Sequence, residues 1–109
     1  MNEDEQRGVD AARLLRVLAD RAMADSERED IAGVTVGPST ADAAAAGMDL
    51  NSPRYNAAIA HLLEMGALVP DEETNALMSE VVGEPEHGFA FKITREGVQV
   101  LRELEQYGV

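Results

Sequence analysis

The chain has 109 residues, 21 acidic against nine basic side chains, a formal net charge of -12 and no cysteine. That length implies one domain with a small core. The missing thiols exclude a disulfide framework and a cysteine-ligated zinc site, and no apolar run approaches the ~18 residues of a membrane-spanning helix.

The opening Met1-Asn2-Glu3-Asp4-Glu5 lacks the positive charge and apolar stretch of a signal peptide. Arginine is heavily favoured over the single Lys92. A soluble, cytoplasmic, bacterial protein is expected. Residues 1–8 are expected to be a flexible acidic terminus ahead of a single domain over 9–109.

From Val9 the apolar positions Val9, Ala12, Leu14, Leu15, Val17, Leu18, Ala22 and Met23 recur at helical spacing, which predicts a helix to about Asp25. Arg13, Arg16, Asp20 and Arg21 form its polar face. Ile31-Ala32-Gly33-Val34-Thr35-Val36-Gly37 alternates β-branched residues among glycines and reads as a short strand or an extended linker. Thr40 is the expected N-cap of a short helix through the Ala41–Ala46 run, with Asp42 in its first turn and Gly47 at its end.

A second start signal follows at Ser52-Pro53, with Asn51 as an alternative cap. The helix from Arg54 to Met65 carries Tyr55, Ala58, Ile59, Leu62 and Leu63 as its apolar stripe and stops at Gly66. A short helix, a tight connection and a second capped helix make a helix-turn-helix candidate. Ala67-Leu68-Val69 begins a strand that Pro70 and Asp71 interrupt. Residues 72–82 are ambiguous: Leu77, Met78 and Val81 fit a helix, while Leu77, Ser79 and Val81 fit a strand face. A short helix or irregular arm is favoured. Gly83 to Gly88 is a turn on composition.

Phe89, Phe91 and Ile93 alternate with Ala90, Lys92 and Thr94 as a half-buried strand. Thr94 then caps a last helix with Val98, Leu101, Leu104 and Tyr107 on its apolar face. The fold class is therefore mainly α with a small β-hairpin wing (α+β), a three-helix core plus a C-terminal helix. Met23, Met48, Met65 and Met78 are expected to fill the core.

The phrase Ile59-Ala60-His61-Leu62-Leu63-Glu64-Met65-Gly66-Ala67-Leu68-Val69 resembles a recognition helix running into a first wing strand. Phe89-Ala90-Phe91-Lys92-Ile93-Thr94-Arg95-Glu96-Gly97 is similar to the second wing strand and following helix of winged helix-turn-helix repressors of the multiple-antibiotic-resistance and phenolic-acid types. The resemblance covers roughly Val9 to Tyr107, but its motifs speak for a fold more than a task. It implies a DNA-binding transcriptional regulator acting as a homodimer. It also implies that Ser52, Arg54, Tyr55, Asn56 and Ala57 lie nearest the major groove, with Ala60 and His61 one turn further along. Arg54 would pair with guanine and Asn56 with adenine, while Ser39 and Thr40 would bond a phosphate.

The charge distribution points elsewhere. Asp71, Glu72, Glu73, Glu80, Glu84 and Glu86 face Lys92 alone between residues 71 and 93, and the wing tip carries Glu84, Glu86 and His87 where a DNA-binding wing carries cations. The alternative expectation is an acidic winged-helix module that contacts protein through Glu84, Glu86 and His87. No Gly-rich phosphate loop, nucleophile elbow or zinc-protease motif is present in the sequence, so neither an enzyme nor a cofactor is expected. Neither His61 nor His87 has metal-ligand company at a defined spacing, and no metal is expected.

Overall fold

The computed structural model describes residues 2–27, 30–82 and 90–106, apart from the side chains of 79–82. Five helices and three short strands follow in the order α1 (Glu3–Ser26), β1 (Thr35–Val36), α2 (Thr40–Ala45), α3 (Pro53–Glu64), β2 (Leu68–Pro70), α4 (Glu72–Val82), β3 (Phe91–Ile93) and α5 (Arg95–Gln106). The protein is mainly helical with a small antiparallel sheet, an α+β arrangement.

Helix α1 starts at Glu3, six residues ahead of the expected Val9. The Asn2 side chain accepts the Glu5 N–H at 2.8 Å, and Glu3, Asp4 and Glu5 occupy the first turn, where acids suit the helix dipole. The segment expected to be a flexible terminus is thus helical from Glu3. Helix α1 buries Leu14, Leu15 and Leu18, while Val9, Ala12 and Val17 are half-buried and Met23 is exposed. Asp10 lies on the buried stripe, one turn before Leu14.

Helix α2 is capped by Ser39 rather than Thr40. The Ser39 hydroxyl accepts the Asp42 N–H at 3.2 Å, and the Asp42 carboxylate accepts the Ser39 N–H at 2.9 Å, a reciprocal capping box. Ala43 and Ala46 are fully covered, so the small side chains let α2 approach α1 closely. Ser52 caps α3 by accepting the Tyr55 N–H at 3.2 Å, with Pro53 at the first helical position.

Tyr55, Ala58, Ile59 and Leu62 form the buried face of α3, and α1 with α3 makes the most extensive contact between helices among the described residues. Each fully buried leucine or isoleucine here adds about 1.5–3 kcal/mol of transfer free energy. Gly66, at φ 76°, turns the chain out of α3 and into β2, a conformation a side chain would strain.

The sheet has the order β1-β3-β2, with both pairings antiparallel. Thr35 and Val69 both sit opposite Lys92, while Val36 and Pro70 sit opposite Phe91 and Leu68 opposite Ile93. Phe91 and Ile93 of the central strand therefore point into the core, and Lys92 points out. Pro70 is tolerated because β2 is an edge strand.

The connection between β2 and β3 holds the 11-residue helix α4, in line with the short helix favoured for residues 72–82. Its far end, including the expected contact residues Glu84, Glu86 and His87, lies outside the described residues. Of the methionines expected in the core, Met48 is buried, whereas Met23, Met65 and Met78 are exposed because each falls off its helix's inward stripe or at a helix end.

Candidate interface at the third helix

The residues that could meet a partner on α3 begin at its capped N-terminus. Pro53, Arg54 and Glu64 are exposed, and Asn56, Ala57, Ala60 and His61 are half-covered. The outward face thus carries Arg54 and Glu64 as opposite charges, with small or neutral side chains between them.

Arg54 is committed within the chain. Its Nε donates to Asp10 Oδ2 at 3.1 Å, and its Nη2 donates to Asp10 Oδ1 at 2.6 Å, a bidentate fork that ties α3 to α1. The Asp10 side chain is 2% exposed and that of Arg54 is 51% exposed. Gln6 Nε2 donates a third bond to Asp10 Oδ1 at 2.8 Å. The Arg54 hydrogen bond holds the Asp10 carboxyl below the ordinary carboxylate range, against the opposing effect of burial. The same contact raises the Arg54 guanidinium, so both groups keep their charge. A cleft of about 300 Å³ beside the pair is bordered by Gln6, Arg7, Pro53 and Ala57.

The remaining candidates have structural tasks as well. Tyr55 is buried in the core, on the apolar stripe expected of α3, and does not join the outward face. Burial, reinforced by the Asp42 charge, pushes its phenol up to about 12. The Asn56 amide donates to the Asn51 carbonyl at 3.3 Å, which steadies the left-handed turn at Asn51 (φ 62°). Ser39 and Ser52 spend their hydroxyls on helix caps, Thr40 is exposed at the start of α2, and His61 is half-buried in the last turn of α3.

Sequence reasoning missed three buried aspartates that act as tertiary links. Asp10 joins α1 to α3. Asp42 pairs with Arg21 and so joins α2 to α1. Asp71 accepts the Thr35 hydroxyl at 2.7 Å and bonds Thr74 through both its N–H and its hydroxyl, which joins β1 to the start of α4. The Thr35 hydrogen bond is the main influence holding Asp71 below the ordinary carboxylate range. Asp10 gave one available signal: it falls on the apolar stripe of α1, one helical turn before Leu14.

Among the described residues no group of three His, Cys, Asp or Glu side chains could hold a metal ion, and no helix is long and apolar enough to cross a membrane. Comparison with known protein families, with curated proteins and with solved structures returns no match to this chain.

Proposed function

We propose that the chain is a winged-helix module used for protein contact rather than for reading DNA. The winged-helix part draws support from the order α1-β1-α2-α3-β2-β3 around a β1-β3-β2 sheet, with α4 inserted between the last two strands. The protein-contact part rests on one observation: the only cation of α3 is held in a two-pronged bond by Asp10. Turning Arg54 toward a guanine would leave a carboxylate that is 2% exposed without its counter-charge. Duplex DNA is bound chiefly by neutralising several phosphates, and the outward face of α3 offers opposite charges that cancel. The rival reading, a DNA-binding homodimeric regulator, draws on the same order of elements alone.

The test is a mobility shift with mixed-sequence duplex DNA at low salt. The protein and its Arg54→Ala variant are both expected to leave the duplex unretarded. A retarded complex that weakens in Arg54→Ala would overturn the proposal.

A further inference from the structure

We propose that α4 is a docking arm for a basic, amphipathic helix of another protein, an inference that rests on the protein-contact reading above. The arm is fixed at its root. The Asp71 carboxylate caps its first turn, the Asp71 N–H donates to the Ala90 carbonyl at 3.0 Å, and Asp71 also holds the Thr35 hydroxyl. One turn on, the Asn75 carboxamide pairs with the Ala90 backbone in both directions, accepting the Ala90 N–H at 2.7 Å and donating to the Ala90 carbonyl at 3.0 Å. A side chain thereby takes the place of a strand partner and clamps the helix to the end of β3.

Beyond that clamp Ala76, Leu77 and Met78 of α4 face outward. Leu77 is 66% exposed and Met78 40%, with Ala76 exposed beside them. Every leucine on the core faces of α1 and α3 named above is covered almost completely. A single exposed leucine is ordinary on a protein surface. Here two neighbouring large apolar side chains stand on a helix whose root is held by hydrogen bonds to other parts of the chain and to its own cap. Holding a helix rigid while leaving its apolar residues in water suits a surface prepared for a partner.

Charge selects the occupant. Glu72 and Glu73 are exposed on the same helix, upstream of the apolar pair. A second copy meeting α4 across a two-fold axis would bring two chains of -12 together with acids on both sides of the contact. Nucleic acid and anionic lipid are repelled for the same reason. A protein helix with an apolar stripe bordered by Lys or Arg satisfies both the apolar pair and the acids. An 11-residue helix is about 16 Å long, which limits the contact to less than a standard interface and the affinity to the transient class.

A labelled synthetic leucine–lysine amphipathic peptide, titrated against the full chain by fluorescence anisotropy at physiological salt, tests this directly. Binding with a dissociation constant of roughly 1–100 μM is expected. Leu77→Ser with Met78→Ser should weaken it roughly ten-fold, Glu72→Gln with Glu73→Gln should weaken it several-fold, and Glu103→Gln on α5 should leave it unchanged. A leucine–glutamate peptide of the same length should not bind, and the protein should remain monomeric by light scattering with or without α4 intact. Absent binding, binding indifferent to the Leu77/Met78 change, an equal loss in Glu103→Gln, or a dimer that Leu77→Ser with Met78→Ser dissociates would each overturn the proposal. Failure of the peptide together with unretarded DNA removes the α4 surface and leaves the protein-contact reading standing, whereas retarded DNA that weakens in Arg54→Ala removes that reading itself.

Discussion

Replacing Gly97 by alanine sets two effects of known sign against each other. Gly97 lies in the first turns of α5, where alanine is favoured over glycine by about 0.8–1 kcal/mol on helix propensity alone. A Cβ at this position would stand 2.4 Å from the Ala67 carbonyl oxygen and 3.2 Å from its carbon. That oxygen cannot give way easily. It accepts the Thr94 N–H at 3.1 Å and the Thr94 hydroxyl at 3.0 Å, and the same hydroxyl accepts the Gly97 N–H at 2.9 Å. The added methyl therefore meets backbone pinned by the cap of its own helix, and α5 must move off β2. Overpacking of this kind costs about 1–3 kcal/mol, and a rigid neighbour places it in the upper part of that range.

The net expectation for Gly97→Ala is a loss of about 1–2 kcal/mol, seen as a fall in Tm of roughly 4–15 °C. Gly8→Ala provides the matched control. Gly8 is also helical, but its Cβ would meet nothing within 4 Å, so the propensity gain should appear unopposed and Tm should rise by a few degrees. Thermal unfolding followed by circular dichroism measures both variants. If Gly97→Ala raised Tm as Gly8→Ala does, the close approach of α5 to β2 would be refuted.

The Asp10 and Ala90 contacts give two more measurable outcomes. Because the Asp10 carboxyl is held below its ordinary value in the folded chain, the stability it contributes is present above that ordinary value and is lost as pH falls through the lowered one. Urea midpoints measured from neutral pH downward should show Asp10→Asn weaker than the parent at neutral pH, with the gap closing in acid; a gap independent of pH would count against the link between α1 and α3. Asn75→Ala leaves the Ala90 N–H, at a residue only 3% exposed, without its partner, and should cost about 1–3 kcal/mol in denaturant unfolding. Asn75→Asp keeps the acceptor but sets a carboxylate oxygen against the Ala90 carbonyl, so it should not rescue the loss; an Asn75→Ala variant as stable as the parent would show that the carboxamide pairing with the strand does not matter.

The sequence alone made much of the architecture legible. The helical spacing of Leu14, Leu15 and Leu18, the Ser52-Pro53 start, the stop at Gly66 and the alternation around Phe91 and Ile93 all correspond to elements of the structure. These are local signals, set by periodicity, caps and φ preferences over one or two turns of chain. Local signals also misplaced some bounds. Thr40 and Ser39 are both good caps, and only the reciprocal bond with Asp42 decides between them. Asn2 with its following acids starts α1 earlier than apolar spacing suggests, because the first turn of a helix can be stabilised by caps and dipole without burying anything.

The candidate site was less legible, and the reason is distance along the chain. Arg54 read as a solvent-facing cation because nothing within a helical turn of it is acidic. Its partner Asp10 is 44 residues away and meets it only once α1 packs across α3. Tyr55 sits next to Arg54 in sequence, yet the helical rotation between them sends one to the core and the other to the edge of the protein. The placement of α4, clamped through Asn75 and Ala90 while its apolar pair faces outward, follows from side-chain-to-backbone bonds between residues 15 positions apart. Periodicity and capping chemistry, which act over neighbouring residues, determined which segments are helix and strand. Which charges are free to meet a partner was decided only when the helices packed, because a salt bridge depends on where two side chains end up in space.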